Sequence, residues 1–377
     1  MEVVYSEHRG AAPLYRRVGA CALGLAAFLG AAGLVDRWAS PEFDALPNKL
    51  AEFDRAAGRY NLAFIGSSHV YQQIDPATFD AVCAEHGLEI HSFNMGMPGW
   101  ITPQLSYTER KVLESGQPVK YLVIDPEWVS LEISPLNVRV QQTITWHDPR
   151  MAAFIGRLLV LEPGGWRNWL RLAKLHALPT VYNLASFGRM QVPLKRWIDG
   201  LGDAQARTAR LYGVGHAGDG YYNYDDMVGD AGQRPDAMLK DHDEMLSPGG
   251  RARYEREVAA AAAIPPVTGR PGRETAAGLS ELQAIAERRG VTPVFVTGPI
   301  TFTSWMEVQR AFDAGVIRTY LRFSDPARYP ELYAVEHRFD PRHVNGEGAK
   351  LYSRLLAERF VESVKGGGSG GGQGAAR

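Results

Sequence analysis

The stretch NLAFIGSSHVYQQIDP, residues 61–76, decides how the chain is read. It opens with a short apolar run, Leu62-Ala63-Phe64-Ile65, that breaks off at Gly66-Ser67-Ser68-His69. A run of that length, stopped by glycine and small hydroxyl residues, reads as a buried strand leading into a turn. Asp75-Pro76 then opens a helix: the aspartate can cap its first turn, and proline suits the first helical position. Strand, turn and helix make one α/β unit. A serine at such a turn most often only caps the helix that follows, so a chemical role for Ser67 or Ser68 needs partners from elsewhere in the chain.

Working outward, the same unit recurs. Phe79, Val82, Cys83 and His86 fall on one helical face, and Gly87 ends that helix. LEIHSFN (88–94) reads as a second strand, Thr102-Pro103 starts a helix that stops near Gly116, and KYLVID (120–125) is a third strand. After a long interval come a helix, GLSELQAIAERRG (278–290), and a strand, TPVFVTGPI (292–300). A last helix carries Leu351, Leu355, Leu356 and Phe360 at helical spacing. Short apolar runs alternating with helices predict an α/β fold, a parallel sheet in three layers.

Residues 136–275 interrupt the rhythm and read as a large mixed insertion or cap, holding Trp146, Trp166, Trp169 and Trp197 and the stretch GDGYYNYDDMVGDAG. Those tryptophans either line a carbohydrate cleft or pack a core. The α/β domain is therefore expected in two pieces, 61–135 and 276–364, and the Gly-rich tail, 365–377, has the composition of a disordered linker.

The N-terminus is of another kind. Residues 18–35, VGACALGLAAFLGAAGLV, carry no charge and follow Arg9, Arg16 and Arg17. As a helix they span about 27 Å, enough for a hydrocarbon core. The arginines favour a cytoplasmic segment 1–17, a transmembrane anchor 18–35, and a connector 36–60 on the far side of an inner membrane. A cleaved signal peptide and a buried helix of a soluble domain are the rival readings. Val18-Gly19-Ala20-Cys21 precedes the apolar run instead of following it, so it does not read as a lipoprotein cleavage site.

Composition narrows the functions. The chain has 377 residues, 45% of them hydrophobic and 22% charged, as expected of a globular protein. Its 41 basic residues against 42 acidic leave no excess to meet phosphates, which argues against a nucleic-acid partner. Cys21 lies in the apolar segment and Cys83 on a helix, so no disulfide between them is expected, and no Cys/His pattern calls for a metal. No cofactor is expected.

Three separated pieces converge on one chemistry. Gly66-Ser67-Ser68 follows the first strand, Asn94-Met95-Gly96-Met97-Pro98-Gly99 follows the second, and Asp340-Pro341-Arg342-His343 precedes the last helix. In a parallel sheet, segments that follow strands share the carboxyl edge, where open α/β folds place their sites. A serine hydroxyl becomes nucleophilic when an imidazole takes its proton, and a carboxylate holds that imidazole in the right tautomer. Backbone N–H groups freed by glycine can meet the oxyanion.

These blocks resemble the SGNH (GDSL-type) hydrolase superfamily over roughly residues 61–135 and 278–362. The resemblance implies a flavodoxin-like sheet topology, with Ser68 as nucleophile, Asp340 as triad acid and His343 as base. The N–H groups of Ser68 and Gly99 would form the oxyanion hole. Asn94, Trp100, Trp128 and His69 are the candidate substrate contacts, His69 equally a structural residue. Two blocks depart from the family. Ser67 stands where the family has aspartate, and Asp125-Pro126-Glu127-Trp128 replaces the Gly-x-Asn-Asp block, so the oxyanion-hole asparagine is missing. Asp125 and Glu127 also read as caps or ion-pair partners, Asp325 as a turn residue and His337 as surface. With the anchor, the blocks are similar to one branch, the extracytoplasmic polysaccharide O-acetyltransferases such as the alginate acetylation proteins, and the anchored protein of teichoic acid D-alanylation. That branch implies a periplasmic domain, a polysaccharide or acylated carbohydrate as substrate, and a membrane-bound O-acyltransferase as partner. A carbohydrate acetylesterase, or a non-catalytic binding module on the same scaffold, is the alternative.

Overall fold

The computed structural model describes residues 13–38, 45–56, 58–126, 129–185, 203–230 and 236–367. Five strands, β1 (Leu62–Ile65), β2 (Ser92–Asn94), β3 (Tyr121–Ile124), β4 (Thr292–Thr297) and β5 (Tyr320–Arg322), pair in parallel in the order β2-β1-β3-β4-β5. Phe64 stands opposite Asn94 in β2 and Val123 in β3. The strand order reverses direction at β1, so the connections after β1 and β3 leave to opposite sides, and the carboxyl edge between those strands is where open α/β sheets place their sites.

The described helices are α1 (Leu14–Trp38), α2 (Ala45–Arg55), α3 (Ser68–Tyr71), α4 (Pro76–Glu85), α5 (Thr102–Glu114), α6 (Gln141–Trp146), α7 (Pro149–Leu161) and α8 (Gly165–Leu184). They continue with α9 (Asp203–Val214), α10 (Tyr224–Gly229), α11 (Asp236–Leu246), α12 (Pro248–Ala262), α13 (Arg273–Arg288), α14 (Trp305–Asp313) and α15 (Gly346–Gly367).

Alternation along the strands builds the layers. Ala63, Ile65, Leu122, Ile124 and Phe295 face one core with α2, α5, α7, α13 and α14. Leu62, Phe64, Val123, Val294 and Val296 face the other, against Phe79, Val82 and Cys83 of α4 and Tyr352, Leu356 and Phe360 of α15. Removing each of the Val, Leu, Ile and Phe side chains among these from water contributes about 1.5–3 kcal/mol. The three-layer parallel α/β sheet expected from the sequence is present.

Helix ends follow their chemistry. Asp75 Oδ1 accepts from Ala77 N at 3.0 Å, with Pro76 at the first helical position. Gly87 and Gly116 have φ of 71° and 79° where the chain leaves α4 and α5. His86, expected on the buried face of α4, is exposed at the helix end.

Several boundaries are corrected. The second strand is confined to Ser92–Asn94, because the Asn61 side chain accepts from His91 N at 2.9 Å and donates to Glu89 O at 3.0 Å, taking groups a ladder would need. The fourth ends at Thr297, not at Ile300. The last helix runs to Gly367, past the expected start of the tail at 365; the rest of the tail lies outside the described residues.

The insertion is divided in its packing. Trp146, Met151, Phe154, Ile155 and Leu158 join the main core, so α6 and α7 belong to a sheet layer. Within that part the buried rings of His147 and His176 are bonded in series: Thr143 O, His147 Nδ1 at 2.6 Å, His147 Nε2 to His176 Nδ1 at 2.9 Å, and His176 Nε2 to Leu131 O at 2.8 Å. Of the tryptophans expected to line a cleft or a core, Trp146 is buried, while Trp166 and Trp169 are exposed on α8; Trp197 lies outside the described residues.

Helix α1 contains a span, Leu14–Leu34, of mean hydropathy 1.6 with none of its window buried. By length and composition it can cross a membrane, a description that a signal sequence also meets.

Candidate active site

Ser68 is brought to the sheet edge by a turn that only glycine allows. A Cβ on Gly66 would lie 2.2 Å from Val70 Cγ2, and one on Gly96 would lie 2.4 Å from Tyr71 N. The first turn of α3 therefore packs directly against both loop backbones. Ser67 is the N-cap: its Oγ accepts from His69 N at 3.2 Å, which leaves the half-buried Ser68 side chain for other partners. The capping role weighed for a serine at this turn thus falls to Ser67.

The partner comes from the far end of the chain. Ser68 Oγ lies 2.9 Å from His343 Nε2, across 275 positions of sequence. His343 Nδ1 lies 2.9 Å from Asp340 Oδ2 and 3.1 Å from its Oδ1. The loop is closed on itself: Asp340 Oδ1 also accepts from Arg342 N at 2.7 Å and His343 N at 2.8 Å, and Arg338 pairs with Val344 in an antiparallel bridge. Arg338, buried, donates to Pro299 O at 2.9 Å and Pro341 O at 3.0 Å, tying this loop to the end of β4.

Electrostatics suit proton transfer. Burial alone would push the Asp340 carboxyl up, but the His343 hydrogen bond and charge and two backbone N–H groups hold it down at about 2. Burial lowers the His343 pKa, with His69 and Arg338 acting in the same direction and Asp340 opposing. The pair is then an ionised carboxylate and a neutral imidazole whose Nε2 can accept the Ser68 proton.

The other expected residues divide. Gly99 lies in the loop after β2, exposed and at φ 70°, in a Pro98-Gly99 turn of the kind that needs positive φ at its third position. Asn94 is fully buried: its Nδ2 donates to Val70 O at 2.7 Å and Ile74 O at 2.9 Å, and its Oδ1 accepts from Gly96 N at 2.9 Å. It fastens α3 to the second loop, which corrects its expected substrate contact. Trp100 is 2% exposed within the core under the sheet, so the same correction applies. His69 is buried beside the site, its Nε2 3.1 Å from Arg342 O and its ring 5.1 Å from that of His343. Trp128 and Glu127 lie outside the described residues. Asp125 is buried at the end of β3, with Oδ2 accepting from Gly298 N at 3.4 Å. Asp325 holds a turn through Arg328 N, and His337 Nδ1 donates to Glu331 O at 2.7 Å.

Lys49 of α2 reaches the end of β2 and the insertion. Its fully buried Nζ donates to Asn94 O at 2.8 Å and Gly220 O at 2.7 Å, and burial lowers its pKa well below the usual lysine value while nearby Asp219 opposes.

One residue of the site was missed from the sequence. Tyr224, the first residue of α10 in the insertion, has its hydroxyl 3.5 Å from His343 Nε2 and its ring edge-on to the imidazole at 4.8 Å. The Asn223 cap, with Oδ1 accepting from Asp226 N at 2.8 Å, marks a helix start in the sequence, but nothing local says where that helix docks. A cavity of about 320 Å³ opens next to the Asp340 loop, lined by Thr301, Phe302, Asp340, Pro341 and Arg342 and by charged residues of the insertion, Asp241, Glu244, Arg253 and Glu257. Among the described residues, no group of three His, Cys, Asp or Glu side chains is placed to hold a metal ion.

No protein-family model matches the chain, and no curated protein matches it.

Proposed function

We propose that the chain is a serine acyltransferase on an SGNH-like, flavodoxin-like scaffold. It is held by α1 in an inner membrane with its α/β domain in the periplasm, and it O-acetylates a cell-surface or exported polysaccharide. The observation that carries this reading is the unbroken series Ser68 Oγ, His343 Nε2, His343 Nδ1, Asp340 Oδ2, each contact at 2.9 Å. In the proposed cycle Ser68 Oγ attacks the acyl carbonyl as its proton passes to Nε2. Asp340 holds the tautomer that leaves Nε2 free to accept, and the resulting imidazolium protonates the leaving group. A sugar hydroxyl then takes the position of the leaving group and resolves the acyl-serine. Transfer is favoured over hydrolysis by the apolar N-terminal helix, which suits a partner in the membrane that supplies acyl groups, and by the absence of the family's third-block asparagine.

The test compares the full chain in detergent micelles with its Ser68→Ala variant on a chromogenic acetyl ester. Wild-type release with at least a ~10³-fold loss in the variant is expected; equal release from both would refute the serine mechanism. Adding candidate polysaccharides should yield acetylated sugar by mass spectrometry. Ester consumption without acetylated sugar would reassign the chain as an esterase.

A further inference from the structure

We propose that Tyr224 is a catalytic residue: its hydroxyl hydrogen-bonds to the oxygen that exchanges a proton with His343 Nε2. That oxygen is the leaving-group oxygen during acylation and the acceptor hydroxyl during transfer. The proposal rests on the acyl-serine chemistry above and adds a residue that the three sequence blocks do not contain.

The geometry is specific. An oxygen exchanging a proton with Nε2 must come within about 2.6–3.2 Å of it. Nε2 already has Ser68 Oγ at 2.9 Å and the Tyr224 hydroxyl at 3.5 Å. A substrate oxygen that approaches the same nitrogen from the Tyr224 side is then within hydrogen-bond reach of its hydroxyl. The tyrosine is held for this: it is 1% exposed, its ring is stacked on Phe339 at 4.9 Å, and the His242 ring stacks on Phe339 at 4.6 Å. Asp225 Oδ2, one residue on, accepts from Gly346 N at 2.7 Å, which fixes α10 to the start of α15, three residues after His343.

The step balances. In acylation the Ser68 Oγ–C bond forms and the Ser68 proton moves to Nε2. As the tetrahedral intermediate collapses, the C–O bond to the leaving group breaks and that oxygen takes the proton from Nε2. Tyr224 donates a hydrogen bond to this oxygen while negative charge builds on it, and keeps its own proton. In transfer the acceptor O–H occupies the same place, gives its proton to Nε2 and forms the new C–O bond, after which Ser68 Oγ leaves and is reprotonated. Hydrogen bonding of this kind matters when the leaving group is a poor one and little when it departs readily as an anion.

The experiment follows acetylation of Ser68 in the full chain by rapid quench and mass spectrometry, with p-nitrophenyl acetate and with ethyl acetate as donors. Tyr224→Phe keeps the stack on Phe339 and removes only the hydroxyl. The expected result is acetylation by p-nitrophenyl acetate within about twofold of wild type, and acetylation by ethyl acetate about 10- to 100-fold slower. An equal loss with both donors, as a structural or oxyanion-hole role would give, overturns the proposal, and so does no loss with either. If wild-type Ser68 is never acetylated, the serine reading falls first and Tyr224 with it. If Ser68 is acetylated with the leaving-group dependence unchanged in the variant, only the Tyr224 proposal falls.

Discussion

At the scale of single residues, Asp340 and His343 set a testable pH profile. Catalysis by a neutral imidazole is fully available above its pKa and is lost as pH falls through it. Burial places that pKa below the usual histidine value of 6.5, so the acid limb of kcat/KM should have its midpoint below 6.5. Asp340→Asn removes the groups that raise it; the limb should move lower still, with kcat reduced about 10⁴-fold as the tautomer is lost. A midpoint above 6.5, or one unmoved in the variant, would contradict this assignment of the base. Ser67 makes a smaller claim: as the cap of α3, its change to alanine should cost about 1 kcal/mol in urea unfolding. That capping bond also gives Ser67 a structural use of its own. The serine, aspartate and histidine were legible because each sits in a short motif with its own local geometry. Tyr224 was not, because its relation to His343 is set by how a distant helix docks.

At the scale of elements, the pair of helices α6 and α8 carries the clearest stability prediction. Two neutral imidazoles bring two protons to the three contacts of the His147–His176 series. A third proton would complete it but would put a charge in a buried place. Burial prevails, holding His147 at about 3 and His176 below its usual value. The unfolded chain takes up protons that the folded pair refuses, so the contribution of these residues is intact above about pH 6.5 and declines below it. The slope for His147 is about 1.4 kcal/mol per pH unit. Urea unfolding between pH 7.5 and 5 should show this loss, and the double variant His147→Phe, His176→Leu should flatten it; an unchanged slope would place the titration elsewhere. Helices with a clear start and stop, α4 and α5, and those with apolar residues at helical spacing, α13 and α15, were legible as such. β5 was not, because Tyr320-Leu321-Arg322 is too short to show a period and is a strand only through its pairing with β4. The part of the insertion that joins the main core was likewise invisible, since a buried face looks the same in a sequence whichever layer it covers.

At the scale of the whole molecule, Lys49 joins three parts: α2, the loop after β2 and the start of the insertion's second half. Lys49→Ala would leave two buried carbonyls without their donor and should cost about 2–4 kcal/mol. The loss should appear as a lower midpoint in thermal unfolding of the full chain, and a midpoint within 1–2 °C of wild type would show the bond to be dispensable. The proposed anchor is checked separately, by whether the expressed chain stays with the membrane pellet through alkaline extraction. The same arrangement has a consequence for reach. Residues 39–44 are all that separates Trp38 from Ala45, and fully extended that linker covers about 25 Å. On the proposed reading, with α1 in a bilayer and α2 bonded through Lys49 to the end of β2, Ser68 is on a short leash, confined to a shell next to the lipid headgroups. The proposed polysaccharide substrate would then be modified there as it emerges, and polymer that has already moved outward would be beyond its range.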